Sequence, residues 1–174
     1  SCVADSSIQT VFVTTYNSGC ISSFEYDGSP VPINDNDSIN GSVLTFNPKS
    51  VSGTTLGSDV NLTKIFVKGQ HTRVGDLKMK LVAPNGEETV LFDRPGYPAT
   101  AFGCVNNDFT FTISNGQGTS LENICNSTPP ALHGNRTTAP AYDLGSVHFG
   151  GGSPDDNWQL VVYDYALGET GSIE

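Results

Sequence analysis

The sequence is poor in basic residues and contains no long apolar run. Lysine and arginine number 8 against 18 aspartates and glutamates, and the formal net charge is −10. Such a chain is not attracted to nucleic-acid phosphates or anionic lipid unless a local basic patch exists, and the sequence shows none. No apolar stretch approaches the ~20 residues that a membrane-spanning helix needs. These shortages argue against a nucleic-acid-binding or membrane-spanning protein, whereas the acidic excess favours divalent cations as ligands.

Sequence motifs of the common hydrolases are missing as well. There is neither a Gly-x-Ser-x-Gly turn nor the Gly-Thr-Ser-Met-Ala pattern of subtilisin-like enzymes, so no serine has the setting of a nucleophile. His71, His133 and His148 do not have the His-Glu-x-x-His spacing of zinc proteases. An isolated histidine of a β domain is usually a structural residue. A pair of carboxylates of the glycosidase type is conceivable, but nothing in the sequence argues for it. We therefore expect a chain that is not itself an enzyme.

Composition and periodicity favour an all-β domain. The 174 residues include 19 glycines and a single methionine. A chain of this length is most simply one domain and can bury roughly 70% of its unfolded surface. No segment has a sustained apolar period of 3.6 residues. Alternating or β-branched residues instead predict strands over residues 8–16, 43–46, 62–68, 77–81, 89–92, 109–113 and 158–164.

Strands at this spacing, separated by long irregular loops, are typical of a sandwich whose loops gather at its two ends. We predict a jelly-roll-like β-sandwich of two antiparallel sheets over residues 22–174. Residues 1–21 would form a leading strand or connector. Pro84-Asn85-Gly86 supplies a turn between two strands and predicts a hairpin.

The four cysteines lie at Cys2, Cys20, Cys104 and Cys125, with no CxxC pair and no nearby histidine. This spacing favours two disulfides over a zinc site. Three pairings are possible, and we prefer Cys2–Cys20 and Cys104–Cys125 because each closes a short loop, which stabilises by about 3 kcal/mol. Disulfides form in oxidising compartments, so we expect a secreted protein. Five glycosylation sequons agree with secretion if the host glycosylates: Asn36, Asn40, Asn61, Asn126 and Asn135.

Acidic residues crowd at predicted loop positions, where calcium could use them. Calcium takes 6 to 8 oxygen ligands, which aspartates and loop carbonyls supply readily. Each acid taken alone is more typical of a solvated turn. The stretch 35–46 only superficially resembles an EF-hand, because Ile39 stands at a ligand position and Phe46 at that of the closing glutamate. The calcium candidates are Asp35, Asp37, Asp76, Asp155, Asp156, Asp164 and Glu169.

Two of these acids stand out. If Trp158, Leu160 and Val162 face the core, a period of two brings Asp164 to the same face at the end of the strand. A carboxylate there needs a cation, a network of donors or water. Asp76 lies in the tight turn that leads into the Leu77 strand, and we expect it either to accept backbone N–H groups or to bind a metal.

Three stretches together resemble the P domain, or homo B domain, which follows the catalytic domain in kexin-like and furin-like proprotein convertases and in many secreted bacterial proteases. They are Pro30-Val31-Pro32-Ile33-Asn34-Asp35, the segment from His71-Thr72-Arg73-Val74-Gly75-Asp76-Leu77 to Gly86, and the segment from Asn157-Trp158-Gln159-Leu160-Val161-Val162-Tyr163-Asp164 to Gly171. The resemblance covers roughly residues 22–174. Glu169 differs from the family's usual aspartate, and the chain stops at Ser172-Ile173-Glu174, where the family adds a tryptophan-containing strand. We therefore expect that last strand to be missing and an edge to be exposed.

The resemblance implies a non-catalytic C-terminal accessory module of a secreted protease, most simply a serine endopeptidase. Such a module would pack beside the catalytic domain of the same polypeptide, help it fold, stabilise it and contribute to its calcium dependence. The alternative is a module that binds carbohydrate or a cell-surface partner through its end loops. For that role the candidate sugar-stacking rings are Tyr97, Phe102, Tyr142, Tyr163 and Tyr165.

Overall fold

A computed structural model of the chain describes residues 11–17, 20–49, 51, 53–105, 108–114, 119–120, 132–137 and 150–174. Several predicted features lie outside these residues and stay predictions: Cys2, Cys125, Tyr142, His148, the sequon at Asn126 and the side chain of Cys20. Cys104 is buried and disulfide-bonded. Its predicted pairing with Cys125 stays a prediction.

Short strands joined by turns and loops dominate the described residues, as the alternating patterns predict. Among the described residues the strands are β1 (Val11–Asn17), β2 (Cys20–Phe24), β3 (Val31–Ile33), β4 (Ser42–Phe46), β5 (Asn61–His71), β6 (Leu77–Val82), β7 (Glu88–Asp93), β8 (Asp108–Ser114), β9 (Thr119–Ser120), β10 (Leu132–Thr137), β11 (Trp158–Asp164) and β12 (Gly171–Ile173). A 3-10 turn, Val74–Asp76, precedes β6. The all-β prediction is confirmed.

The strands form two sheets, which confirms the predicted β-sandwich. The first sheet has the order β2-β1-β5-β8-β10-β9, with β12 also pairing with β5 and β3 pairing with β12. The second has the order β4-β11-β6-β7. Among the described strands the pairing is antiparallel except at β10, which runs parallel to β8 and β9. β1 belongs to the predicted leading segment and pairs with β5. The boundary between that segment and the sandwich, placed after residue 21, stays a prediction.

Period-two alternation builds the core. In β6 the side chains of Leu77, Met79 and Leu81 are fully buried, while the two lysines between them reach acids on β7. In β11 the ring of Trp158 is fully buried, and its Nε1 donates to the carbonyl of Pro154 at 3.2 Å. Burying one large apolar side chain contributes about 1.5–3 kcal/mol. These two neighbouring strands therefore anchor the second sheet against the first.

A bulge in β5 sets which of its residues face inward. Thr14 of β1 pairs with Lys64, but Thr15 pairs with Leu62, so Thr63 is an extra residue in the ladder. After the bulge, alternation resumes with Ile65 inward and continues to the end of the strand. The last inward residue of β5 is His71, whose side chain is buried.

The last strand of the chain, β12, lies between β3 and β5. Gly171 pairs with Ile33 on one side and His71 on the other, and Ile173 is fully buried. This strand therefore ties the end of the described chain into the first sheet. The prediction that a further family strand is missing after Glu174 stays a prediction.

Asp59 provides a test of stability at acid pH. Its carboxylate accepts the backbone N–H groups of Thr54 at 3.0 Å and Thr55 at 2.7 Å, and the first of these bonds lowers the pKa of Asp59 most. A lowered pKa in the folded state stabilises the fold above the unfolded-state pKa, and this contribution is lost as pH falls through the folded-state pKa. Asp59→Asn should therefore lower the urea midpoint at pH 7, and the gap to the parent protein should narrow at pH 3. A gap of equal size at both pH values would contradict the prediction.

Candidate functional site at one end of the sandwich

Four loops leave the sheets at the same end of the sandwich. The pairing register aligns the end of β11 with the start of β6, where Asp164 faces Leu77, and the start of β6 with the end of β7. It also aligns the start of β12 with the ends of β3 and β5. The loops at this end, called the loop end below, comprise residues 34–41, 72–76, 94–105 and 165–170.

His71 and Asp164 meet between the two sheets at the loop end. His71 closes the inward face of β5, and Asp164 closes the inward face of β11, as the alternation from Trp158 predicts. Both side chains are buried, and the distance from His71 Nε2 to Asp164 Oδ2 is 3.4 Å. The other imidazole nitrogen, Nδ1, lies 2.9 Å from the carbonyl oxygen of Arg73. The imidazole therefore contacts the carboxylate at the end of β11, where Nε2 forms no hydrogen bond, and hydrogen-bonds through Nδ1 to the loop that follows β5.

Backbone donors also hold the Asp164 carboxylate. Ala166 donates its N–H to Oδ1 at 3.0 Å, and Asn36 donates its N–H to Oδ2 at 3.4 Å. A buried carboxylate needs such donors or a cation. Asp164 thus connects two loops of the loop end, 34–41 and 165–170, to the end of β11.

Asp76 is the second buried acid of the loop end. Only 2% of its surface is exposed, and its Oδ2 atom accepts no hydrogen bond. Burial raises the pKa of Asp76, whereas the positive charge of Arg73 acts in the opposite direction. The distance from Arg73 Nε to Asp76 Oδ2 is 3.5 Å. The backbone carbonyl of Asp76 accepts the N–H of Tyr165 at 3.0 Å, which fixes the turn against the end of β11.

Glu169 joins this network from the opposite loop. Its Oε2 accepts the hydroxyl of Thr72, and its Oε1 lies 3.6 Å from Arg73 Nε. The same Thr72 hydroxyl oxygen accepts the N–H of Thr170 at 3.0 Å. Arg73 therefore lies between two carboxylates, those of Asp76 and Glu169, and partly neutralises both.

The remaining candidate ligands divide between the two ends. Asp35 is at the loop end, where both of its oxygens accept the N–H of Gly168, at 2.9 and 3.1 Å. Asp37 caps a turn of its own loop, because it accepts the N–H of Asn40 at 2.9 Å, a bond that lowers the pKa of Asp37. Asp155 and Asp156 precede β11, at its opposite end, about 20 Å away by strand rise. The structure thus brings five of the seven acids to one end and not the other two.

Asp155 and Asp156 have local partners at that opposite end. Asp155 Oδ1 accepts the N–H of Val51 at 2.9 Å, and Asp156 Oδ1 accepts the N–H of Asn157 at 2.9 Å. Both are exposed turn residues. Among the described residues, no three or more histidine, cysteine, aspartate or glutamate side chains form a group arranged to hold a metal ion.

Loop 94–105 is joined to the loop end by direct backbone contact with Gly75. Gly75 donates its N–H to the carbonyl of Cys104 at 2.9 Å, and Cys104 donates its own N–H to the carbonyl of Pro95 at 2.8 Å. A Cβ atom on Gly75 would overlap the backbone of Gly103 and Cys104. Glycine is therefore required at position 75 by the close approach of two backbone segments.

Arginine side chains of the loop end contact aromatic rings. The Arg94 guanidinium carbon lies 3.9 Å from the ring centroid of Tyr97 and 5.3 Å from that of Tyr165. Arg73 lies 5.3 Å from the ring of Phe102. These are cation–π distances. Of the proposed sugar-stacking rings, Tyr163 instead faces the Lys80 ammonium at 5.3 Å, and binding of carbohydrate stays a prediction.

Sequence reasoning missed three members of this site. His71 looked like an isolated structural histidine, although continuing the alternation of β5 past Val67 would have placed it inward. Arg73 and Arg94 gave no motif, since two of their partners, Glu169 and Tyr165, come from a loop distant in sequence. Among the described residues, no helix has the length and hydrophobicity to cross a membrane.

Comparison with known families identifies this arrangement. No curated protein matches the chain significantly. The family model of the proprotein convertase P-domain matches residues 60–174, which include two of the three resembling stretches but not residues 30–35. The match covers more than half of the chain and both halves of the buried His71–Asp164 pair. The chain therefore belongs to the proprotein convertase P-domain family, the non-catalytic accessory domains of proteases.

Proposed function

We propose that this chain is the C-terminal accessory module of a secreted protease, most directly a serine endopeptidase, and that it stabilises the catalytic domain or assists its folding. Membership of the P-domain family carries this proposal. The cysteine content supports the extracellular setting, because disulfides persist in oxidising compartments.

The proposed mechanism is linkage within one polypeptide. A module that packs only against the native catalytic domain lowers the population of unfolded protease, because dissociation of the interface becomes part of the cost of unfolding. The loop end is suited to this role, since a buried polar network and direct backbone contact fix its loops in one arrangement. The module needs no catalytic group of its own.

Removing the module tests this proposal. A complete protease lacking residues 22–174 should be recovered in lower yield and should lose proteolytic activity faster on heating than the intact polypeptide, because its catalytic domain has lost a native-state partner. Yield and the half-life of activity at a fixed temperature are the measurements. Equal yields and half-lives for the two proteins would refute the proposed function.

We further propose that the loop end binds calcium. The supporting observation is the buried Asp76 carboxylate, whose Oδ2 accepts no hydrogen bond and whose charge burial disfavours. Asp76, Asp164, Glu169 and Asp35 would supply oxygens, with loop carbonyls completing the 6 to 8 ligands that calcium takes. These four acids are not grouped as metal ligands in the described structure, so calcium would have to draw them together. Bound calcium would supply positive charge there. Arg73 and His71 already contact three of these acids: Asp76, Glu169 and Asp164.

A comparison of thermal melts tests whether the loop end binds calcium. If calcium binds only the native state, a concentration 100 times its Kd should stabilise by about 2.7 kcal/mol, which corresponds to a rise in Tm of about 5 to 10 °C for a chain of this size. Melts in EDTA and in millimolar calcium are compared, with magnesium as the control for ionic strength. Coincident melts would contradict calcium binding at the loop end.

A further inference from the structure

Exposed apolar side chains are concentrated at the loop end. Among the described residues seven large apolar side chains are exposed, and Val43, on β4, is the one outside the loop end. The other six come from three of its four loops: Ile39, Tyr97, Phe102, Val105, Tyr165 and Leu167. Apolar surface gathered in one place on a soluble domain marks an interaction site rather than chance exposure.

Arg94 is a cation of this surface whose charge acts on Asp76 but which contacts no described carboxylate. Its guanidinium lies against the exposed rings of Tyr97 and Tyr165. It forms no salt bridge with any residue that the structure describes, and its Nε atom is buried without a hydrogen-bond partner. By contrast Lys68, Lys78 and Lys80 on the sheets each pair with a carboxylate. A carboxylate on a partner would give Arg94 the direct ion pair that the described residues do not provide.

The surface is held in one conformation before any partner arrives. Backbone hydrogen bonds from Gly75 and Cys104 fix loop 94–105, and the N–H of Arg94 donates to the carbonyl of Leu77 at 2.8 Å. Phe102 is 65% exposed and lies over Arg73, which Asp76 and Glu169 hold in turn. Preorganised tyrosine and arginine side chains are the residues that dominate the energy of protein interfaces.

We propose that the loop end is the surface that docks the catalytic protease domain of the same polypeptide, with Arg94 donating hydrogen bonds to a carboxylate on that domain. This inference rests on the proposed function and adds the face and the anchoring residue to it. A protein partner fits better than a sugar, because an arginine already covers one face of Tyr97 and a charged group is left to pair.

Cross-linking in the complete polypeptide locates the interface. The photoreactive residue p-benzoylphenylalanine replaces Phe102 in one protein and, as the matched control, Val43 in another, since both positions are exposed and apolar. Irradiation should join position 102, but not position 43, to a peptide of the catalytic domain. A cross-link from position 43 alone, or none from position 102, would overturn the proposal.

A substitution at Arg94 tests the anchor. Arg94 has a φ of 49°, a conformation that asparagine tolerates, so Arg94→Asn removes the guanidinium without straining the turn. In the complete polypeptide it should shorten the half-life of protease activity roughly tenfold, the effect of losing one interface hot spot. Lys64→Gln, which removes an exposed cation from β5, is the control and should leave the half-life unchanged.

The outcomes separate this proposal from the proposed function. If removal of residues 22–174 shortens the half-life but Arg94→Asn does not, the accessory role stands and the docking surface is elsewhere. If the removal has no effect, the accessory role itself fails. Binding of the complete protein to a glycan array, abolished by Tyr97→Ser, would assign the surface to carbohydrate and overturn the docking proposal.

Discussion

Gly75→Ala is expected to lower the free energy of unfolding by about 3 kcal/mol or more. The added methyl group would overlap the backbone of Gly103 and Cys104, so two chain segments must separate. The hydrogen bond from the N–H of Gly75 to the carbonyl of Cys104 would be weakened or lost as they do. Urea unfolding monitored by the fluorescence of Trp158 measures the change.

Gly86→Asn is the matched control for this substitution. Gly86 is in the β6–β7 hairpin turn with a φ of 86°, and nothing lies within 4 Å of the position that a Cβ atom would take. Asparagine accepts this backbone conformation, so we expect a change within about 0.5 kcal/mol. Similar losses for the two variants would show that close backbone approach at Gly75 is not what holds loop 94–105.

Asp164→Ala is expected to cost about 3 kcal/mol, the upper end of the range for leaving buried donors without their acceptor. The substitution leaves His71 Nε2 facing a cavity and removes the acceptor of the N–H groups of Ala166 and Asn36. Both partners are buried, so water cannot readily replace the lost carboxylate. Urea unfolding of the single variants His71→Ala and Asp164→Ala and of the double variant gives the coupling between them.

The coupling energy shows whether the side chains of His71 and Asp164 stabilise each other or contribute independently. If the imidazole and the carboxylate stabilise each other, the double variant should cost less than the sum of the single variants, by about 0.5–3 kcal/mol. Asp156→Ala is the control acid, since it is exposed at the opposite end of β11 and should change stability by less than about 0.5 kcal/mol. Strict additivity of His71→Ala and Asp164→Ala would mean that the pair contributes nothing as a pair.

The parts of the fold that follow from period-two alternation could be predicted from the sequence. The inward residues of β6, the hairpin at Asn85-Gly86 and the inward position of Asp164 are all confirmed. In each of these, the side chain's direction depends on its near neighbours along one strand. A local pattern is then sufficient, because the pleat alternates the side chains without reference to the rest of the chain.

The contacts between loops could not be predicted in this way. The alternation of β5 after its bulge indicates that His71 faces inward, but no local pattern indicates that its partner Asp164 comes from the other sheet. Arg94 and Tyr165 are 71 positions apart and meet only because the register of β6 aligns β7 with β11. The same strand geometry separates Asp155 from Asp164, although the two are close in sequence.

The most direct test of the accessory role measures the protease, not the module. In the complete polypeptide, Gly75→Ala should shorten the half-life of proteolytic activity on heating, while Gly86→Asn should leave it unchanged, because only the first destabilises the module. The half-life of proteolytic activity of each variant is compared with the urea unfolding of its module. If Gly75→Ala destabilises the module but the protease keeps its full half-life, the account is contradicted.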